Sequence, residues 1–311
     1  MMPIPTLERL LSEARARGPL RLVVAAAESE TALKAAAMAR RQRLADVALT
    51  GDPDALRRRL EALGEDPGLY QLCPAADDAG AARLAVAMVR AGEAVILMKG
   101  RLQTGDLLRA VLDRKAGLRQ AGQLLSDVLV ADHPIETGRR LVGLTDGGVN
   151  VAPDLAQKKA ILENAVALFQ RLGYATPRVA CLCAVEKVSA AMPHTEDAAA
   201  LQAMNERGAL GGCQVSGPLA LDNALSLEAA REKGIDHPVA GRADLLLAPT
   251  IEAGNALGKA FNYLAHAHVA HVLVGALAPV LIPSRVERAE DKLLSIALGV
   301  LAAGQPGGAG G

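Results

Sequence analysis

Almost from end to end, the sequence alternates short apolar runs with segments of helical pattern, and that alternation restricts the chain to an α/β architecture. Runs at 20–27, 45–50, 94–98, 141–145, 179–184, 214–216, 245–248 and 272–282 read as strands. Helical patterns at 29–43, 53–63, 80–91, 105–116, 154–172, 196–207, 223–233, 252–267 and 292–301 separate them. Strands joined through helices of that length pair in parallel by right-handed crossovers. Runs without polar alternation are buried on both faces, so the polar residues just past them emerge at the carboxyl edge of a sheet, where open α/β sheets bind their ligands.

At 311 residues the chain is long for one core. The pattern predicts two doubly wound domains with mainly parallel sheets and a cleft between them. Their expected extents are 1–132 plus 287–304 for a discontinuous first domain and 133–286 for the second. A glycine-rich tail, 305–311, lacks apolar surface to bury and is expected to be disordered.

Charge and composition remove several classes of partner. The 34 basic residues balance 34 acidic ones, which gives a nucleic acid or an anionic membrane nothing to attract it. Aromatic residues make up 2% with no Trp, so there is no stacking platform for single-stranded nucleic acid. The longest apolar stretch, 269–283, is broken by His271, Pro279 and Pro283 and falls short of the ~20 residues of a membrane span. Cys73, Cys181, Cys183 and Cys213 form no Cys-x-x-Cys pair, and no signal peptide is visible at the start. A cytoplasmic protein with reduced thiols is expected.

The chemistry-bearing residues gather where strands give way to helices. Ser284, Arg285, Glu287, Glu290 and Asp291 follow the last apolar run and offer a hydrogen-bond donor, an anion clamp and a base, the outline of a phosphate or acyl-phosphate site. The same stretch also fits a plain helix start, with Ser284 as cap and Glu287 completing a capping box. Lys99, Gly100, Thr104 and Arg109 suit an anion at a helix N-terminus. Asp146, Gly147, Gly148 and Asn150 form a glycine-rich turn that lets backbone approach a ligand, or an ordinary turn. Gly217 with Pro218, Asp222 as a cap, and Gly254 with Asn255 complete the set. The histidines 266, 268 and 271 cross a change from helix to strand without a carboxylate motif, so no metal site is expected. No Gly-x-Gly-x-x-Gly follows the first strand, which argues against an ordinary nicotinamide dehydrogenase.

Taken together, Leu97-Met-Lys-Gly100 with Thr104, Thr145-Asp-Gly-Gly-Val-Asn-Val-Ala-Pro-Asp154, Gly217-Pro-Leu-Ala-Leu-Asp-Asn223, Ile251-Glu-Ala-Gly-Asn255, and Ser284-Arg285 followed by Ala289-Glu290 resemble the phosphate acetyltransferase and phosphate butyryltransferase family. The butyryl branch fits better. The resemblance spans about 20–301 and implies an isocitrate/isopropylmalate dehydrogenase-like architecture. It also implies the reaction acyl-CoA + phosphate ⇌ acyl phosphate + CoA, with coenzyme A as a substrate, no tightly bound cofactor, and a homo-oligomer. Under it, Ser284 serves the oxyanion or phosphate, Arg285 the phosphate, and Asp291 or Glu290 the proton. Lys99, Gly100, Thr104, Arg109, Asp146, Asn150, Gly217 and Asn255 are then substrate-binding. Its rivals are a coenzyme A-binding protein without catalysis, serving regulation or assembly, and a decarboxylating dehydrogenase, for which metal-binding aspartates are not found.

Overall fold

The structure, a computed structural model, describes residues 2–135 and 138–303. The tail expected to be disordered lies outside them. The chain divides into two compact units. One contains Glu8–Gln123 and the chain from Ala270 onward; the other contains the residues up to Leu7 and Leu124–Val269.

The first unit begins with α1 (Leu7–Arg17) and continues β1 (Leu20–Ala25), α2 (Glu30–Arg41), β2 (Ala45–Gly51), α3 (Pro53–Ala62), β3 (Gln71–Pro74), α4 (Asp78–Arg90), β4 (Ile96–Lys99) and α5 (Thr104–Val111). Helix α3 has its expected start signals: Pro53 at its first position and Asp52, whose carboxylate accepts from Asp54 and Ala55 N–H. Helix α5 stops several residues before the predicted 116, because Asp113 folds the chain into a turn by accepting from the N–H groups of Lys115 and Ala116.

The second unit holds β5 (Ser126–Ile135), β6 (Gly138–Thr145), α6 (Leu155–Arg171), β7 (Arg178–Leu182), α7 (His194–Glu206), β8 (Gln214–Leu219), α8 (Leu221–Leu225), α9 (Leu227–Glu232), β9 (Leu245–Leu247) and α10 (Ile251–Tyr263). Its strand order is β5-β6-β9-β7-β8, parallel except for the β5–β6 pair, which runs antiparallel from Leu129↔Leu144 to Ile135↔Gly138. That pair moves the change of unit to Leu124 rather than residue 132. The apolar run at 128–130 lies in β5, and its Leu129, with Ala131, packs with Val142, Leu144, Leu246 and Ala248 in this unit's core. The predicted helix 223–233 is two short helices instead, broken at Ser226, which caps the second by accepting from Ala229 N–H.

The chain then returns to the first unit through β10 (Val269–Val274), β11 (Val280–Leu281) and α11 (Ala289–Ala302). The single strand predicted over 272–282 is therefore two, folded back through Gly275 (φ +90°) into the antiparallel pair Leu273↔Val280. Strand β11 lies parallel to β4, with Leu281 opposite Met98, so the first unit's order is β3-β2-β1-β4-β11-β10. Pairing with β4 explains why residues 270–286 belong here and not with 133–286. Helix α11 is buried from Asp291 through Ala302 and packs on α2 and, at Gly299, against Leu281 and Ile96. A helix apolar on every side belongs inside a core. No helix among the described residues is long and apolar enough to cross a membrane.

Candidate active site

In the first unit, β4 and β11 run side by side and deliver their carboxyl ends to the same edge. The last residue of β4 is Lys99. Next to it Gly100 passes so close to β1 that a Cβ would sit 2.1 Å from the Ala26 carbonyl oxygen, while its N–H donates to Ala25 O at 2.8 Å. Glycine is the residue that permits this approach.

Beyond β11 the chain forms a turn at Ser284–Glu287. Glu287 N–H donates to Ser284 O at 3.2 Å, and Ser284 N–H donates to Glu287 Oε1 at 2.9 Å. This is one half of the capping box that the Ser-x-x-Glu spacing suggested, without its helix. Helix α11 starts only at Ala289, with Arg288 at its cap and no side-chain cap. Ser284 is therefore not a helix cap, and among the described residues its hydroxyl makes no hydrogen bond.

Lys99 is 3% exposed and Lys292, on the first turns of α11, is 2% exposed. Lys292 Nζ donates to the carbonyls of Ser284 (2.6 Å) and Glu287 (3.0 Å), gathering the turn around its ammonium. Lys99 has no hydrogen bond or ion pair among the described residues. Burial, then the positive charges of Lys292 and Arg285, push its ammonium down to about 8 against the pull of Glu287. Arg285 is exposed and forms no ion pair among the described residues. Lys99, Lys292 and Arg285 face the single negative charge of Glu287, an excess of two positive charges in one corner, since Arg288 and Asp291 neutralise each other at 3.0 Å. A buried ammonium without a counter-charge is costly, and an anionic ligand is what relieves it.

The two candidate bases differ in access. Asp291 is fully buried and held by Arg288 Nε, whereas Glu290, one residue earlier, is exposed. Thr104 is half-buried at the first position of α5, and Arg109 lies at the end of that helix, exposed and paired with Asp106 at 2.8 Å.

In the second unit, β6 and β9 likewise end together, Thr145 opposite Leu247. Asp146 then organises the following turn. Its Oδ1 accepts from Gly148 N (2.9 Å) and Val149 N (3.0 Å), and its Oδ2 from Asn150 N (3.1 Å) and Asn150 Nδ2 (2.5 Å). Burial and the nearby Asp127 carboxylate raise Asp146 above the usual range, opposed by the Gly148 and Asn150 hydrogen bonds. Asn255 Nδ2 reaches Gly147 O at 3.1 Å, so the Asp146–Asn150 turn and the start of α10 form one group. Thr250 caps α10, accepting from Ala253 N–H.

Gly217 is not part of that group. It is buried in β8, where a Cβ would lie 2.7 Å from Cys181 Cβ and 3.0 Å from Ala198 Cβ, which makes it a packing position between β7 and α7. Asp222 does not cap a helix; it pairs with Lys233 (2.9 Å), which with Asn223 also binds Glu186.

Two buried lysines, Lys158 and Lys292, lie outside the residues that the sequence motifs single out. Lys292 carried no signal beyond lying at the polar edge of an apolar helix. Lys158, 2% exposed, donates to Asp197 (2.6 Å) and meets His194 Nδ1 (3.0 Å), a cluster foreshadowed only by the i, i+3 spacing of His194 and Asp197.

The family profile described as phosphate acetyl/butaryl transferase matches residues 76–300. The chain belongs to that family. It is 42% identical over 295 residues to the phosphate acetyltransferase of Thermotoga maritima, covering 94% of this chain and 98% of that protein. To the probable phosphate butyryltransferase of Bacillus subtilis it is 43% identical over 296 residues, covering 95% and 97%. Among solved structures, a branched-chain phosphotransacylase from Enterococcus faecalis superposes with a TM-score of 0.80 at 30% identity, covering 91% of this chain and 99% of that one. Acetyl and butyryl relatives stand at nearly equal identity, so overall similarity does not choose an acyl group.

Proposed function

We propose that this protein transfers a short acyl group reversibly between coenzyme A and phosphate, forming acyl phosphate and free coenzyme A. The observation that carries this reading is the buried Lys99 ammonium, without a partner among the described residues, beside Lys292 and Arg285 in a chain of this family.

In the direction of acyl-CoA formation, the coenzyme A thiol attacks the carbonyl of the acyl phosphate. The thiolate is the nucleophile, so a carboxylate takes the proton as the C–S bond forms. Glu290 is the accessible acceptor, while the covered Asp291 holds Arg288. The tetrahedral intermediate carries an oxyanion that the unengaged Ser284 hydroxyl stabilises, a donor of a kind worth ~3 kcal/mol. Phosphate then leaves with its charge met by Arg285 and Lys99. The C–S bond forms from the sulfur lone pair and the C–O bond breaks with its pair leaving on phosphate, so there is no net oxidation or reduction and the reaction needs no redox cofactor. In the second unit, Asp146, Asn150 and Asn255 serve substrate through the backbone that they hold in place. Cytoplasmic residence fits four cysteines that are all free, and self-association completes the reading.

A thiol-release assay tests the proposal. Purified protein with phosphate and either acetyl-CoA or butyryl-CoA should liberate coenzyme A in a phosphate-dependent way, and the ratio of the two rates assigns the acyl preference. Folded protein that binds coenzyme A and releases none from acetyl-, butyryl- or branched acyl-CoA defeats it.

A further inference from the structure

Lys292 touches neither of the roles assigned above, yet its ammonium lies at the centre of the turn that carries two of them. It is bound to Ser284 O and Glu287 O, it is 2% exposed, and it acts on Lys99 by repulsion. A lysine held in a core solely for packing would leave its charge a liability. Here two carbonyls receive the ammonium, and the backbone they belong to is the one that presents Ser284 and Arg285.

We propose that Lys292 is a positioning residue for phosphate recognition: its ammonium fixes the Ser284–Glu287 turn, and its charge sets the pH range over which Lys99 holds an anion. The proposal rests on the acyl-phosphate reading of the site. Its geometric basis is the parallel β4–β11 pair. With Leu281 opposite Met98, the chain leaves β11 for the turn at the level where β4 ends in Lys99, so anything that holds the turn also holds its charges against that ammonium.

The charged groups acting on Lys99 come from this turn and from α11: Lys292 and Arg285 disfavour its proton, and Glu287 favours it. Lys292 in turn is lowered by burial and supported by Glu287 and Asp291. Charges on the neighbouring segments are engaged elsewhere, Arg101 with Glu28 and Asp78, and Arg109 with Asp106. Phosphate binding therefore weakens as pH rises through the Lys99 midpoint, about 8, and the position of that midpoint depends on Lys292.

The test is calorimetric titration of the full chain with inorganic phosphate across a pH series, on wild type, Lys292→Met and Glu287→Gln. Lys292→Met keeps length and removes charge. It should weaken phosphate binding about tenfold below the midpoint as the turn loosens, and raise the alkaline midpoint by roughly half a pH unit or more. Glu287→Gln keeps the acceptor for Ser284 N–H and removes the negative charge, so its midpoint should fall. Phosphate's own ionisation is common to all three and cancels in the differences. Opposite shifts support the inference, because general loosening does not move two variants in opposite directions. Midpoints that coincide with wild type, or move together, overturn it. If Lys292→Met does not fold, Glu287→Gln still decides: a midpoint that fails to fall overturns the charge coupling. Parallel assay of coenzyme A release by wild type keeps the two readings apart. Release with unmoved midpoints rejects this inference alone, and shifted midpoints without release reject the acyltransferase reading alone.

Discussion

Gly147 and Gly254 touch backbone to backbone: a Cβ on Gly147 would lie 2.8 Å from the Gly254 carbonyl carbon, and one on Gly254 would lie 2.9 Å from Gly147 Cα. Neither neighbour is the movable end of a side chain. The turn after β6 and the first turn of α10 are therefore locked together, and the Asn255–Gly147 hydrogen bond is a consequence of that contact.

Replacing either glycine by alanine should accordingly destabilise the fold by about 1–3 kcal/mol, the range for overpacking a tight contact. Urea unfolding followed by circular dichroism checks this, and Gly105→Ala, where a Cβ meets nothing within 4 Å, is the control.

Arg285→Ala should reduce phosphate-dependent coenzyme A release by about a hundredfold, as loss of a charged transition-state contact does. Its melting temperature should stay at the wild-type value, because the side chain is exposed. Unchanged turnover would remove Arg285 from the phosphate role.

Lys99→Met should do the opposite to stability. The folded ammonium sits at about 8 and the unfolded one at 10.5, so below pH 8 the folded state carries a charge that its surroundings disfavour. Removing it is worth on the order of 3 kcal/mol at neutral pH in phosphate-free buffer. Between about pH 8 and 10.5 the unfolded wild-type chain binds a proton that the folded one does not. Wild-type stability therefore climbs with pH through that window and the advantage of the variant shrinks. Melting curves across that range test the sign, and phosphate KM should rise in the same variant.

Glu290→Gln should lower kcat by about a hundredfold with the melting temperature intact, as removal of a general base does. Asp291→Asn should lower stability by about 1–3 kcal/mol, because it weakens a buried carboxylate's hold on Arg288. The reverse pattern, with kcat lost in Asp291→Asn at full stability, would exchange the two roles.

The parallel strands and their helices were legible because buried runs and amphipathic stretches carry their own periodicity. What the sequence concealed was antiparallel pairing. His133 and Pro134, where the pattern places the start of the second domain, pair with Arg140 and Arg139 in the β5–β6 ladder, and Gly275 folds one apolar run into two strands. At the site, the junction residues were legible as polar groups after strands. The Ser-x-x-Glu spacing fits a capping box as well as a phosphate site; the Ser284 N–H to Glu287 contact of such a box is present, but the helix begins only at Ala289. Lys292 was illegible because burial of a lysine depends on carbonyls eight and five residues back in the sequence, which no periodicity reports.

The placement of β11 and α11 also has a consequence for the order in which the protein is made. Strand β4 finds its neighbour, and Lys99 its surrounding charges, in residues 280–292, which leave the ribosome long after residue 111 closes α5. At ~5–20 residues per second the nascent first unit waits roughly ten to forty seconds with one strand edge open. During that interval Lys99 stands without Arg285, Glu287 and Lys292, and the second unit is synthesised whole before the first is complete.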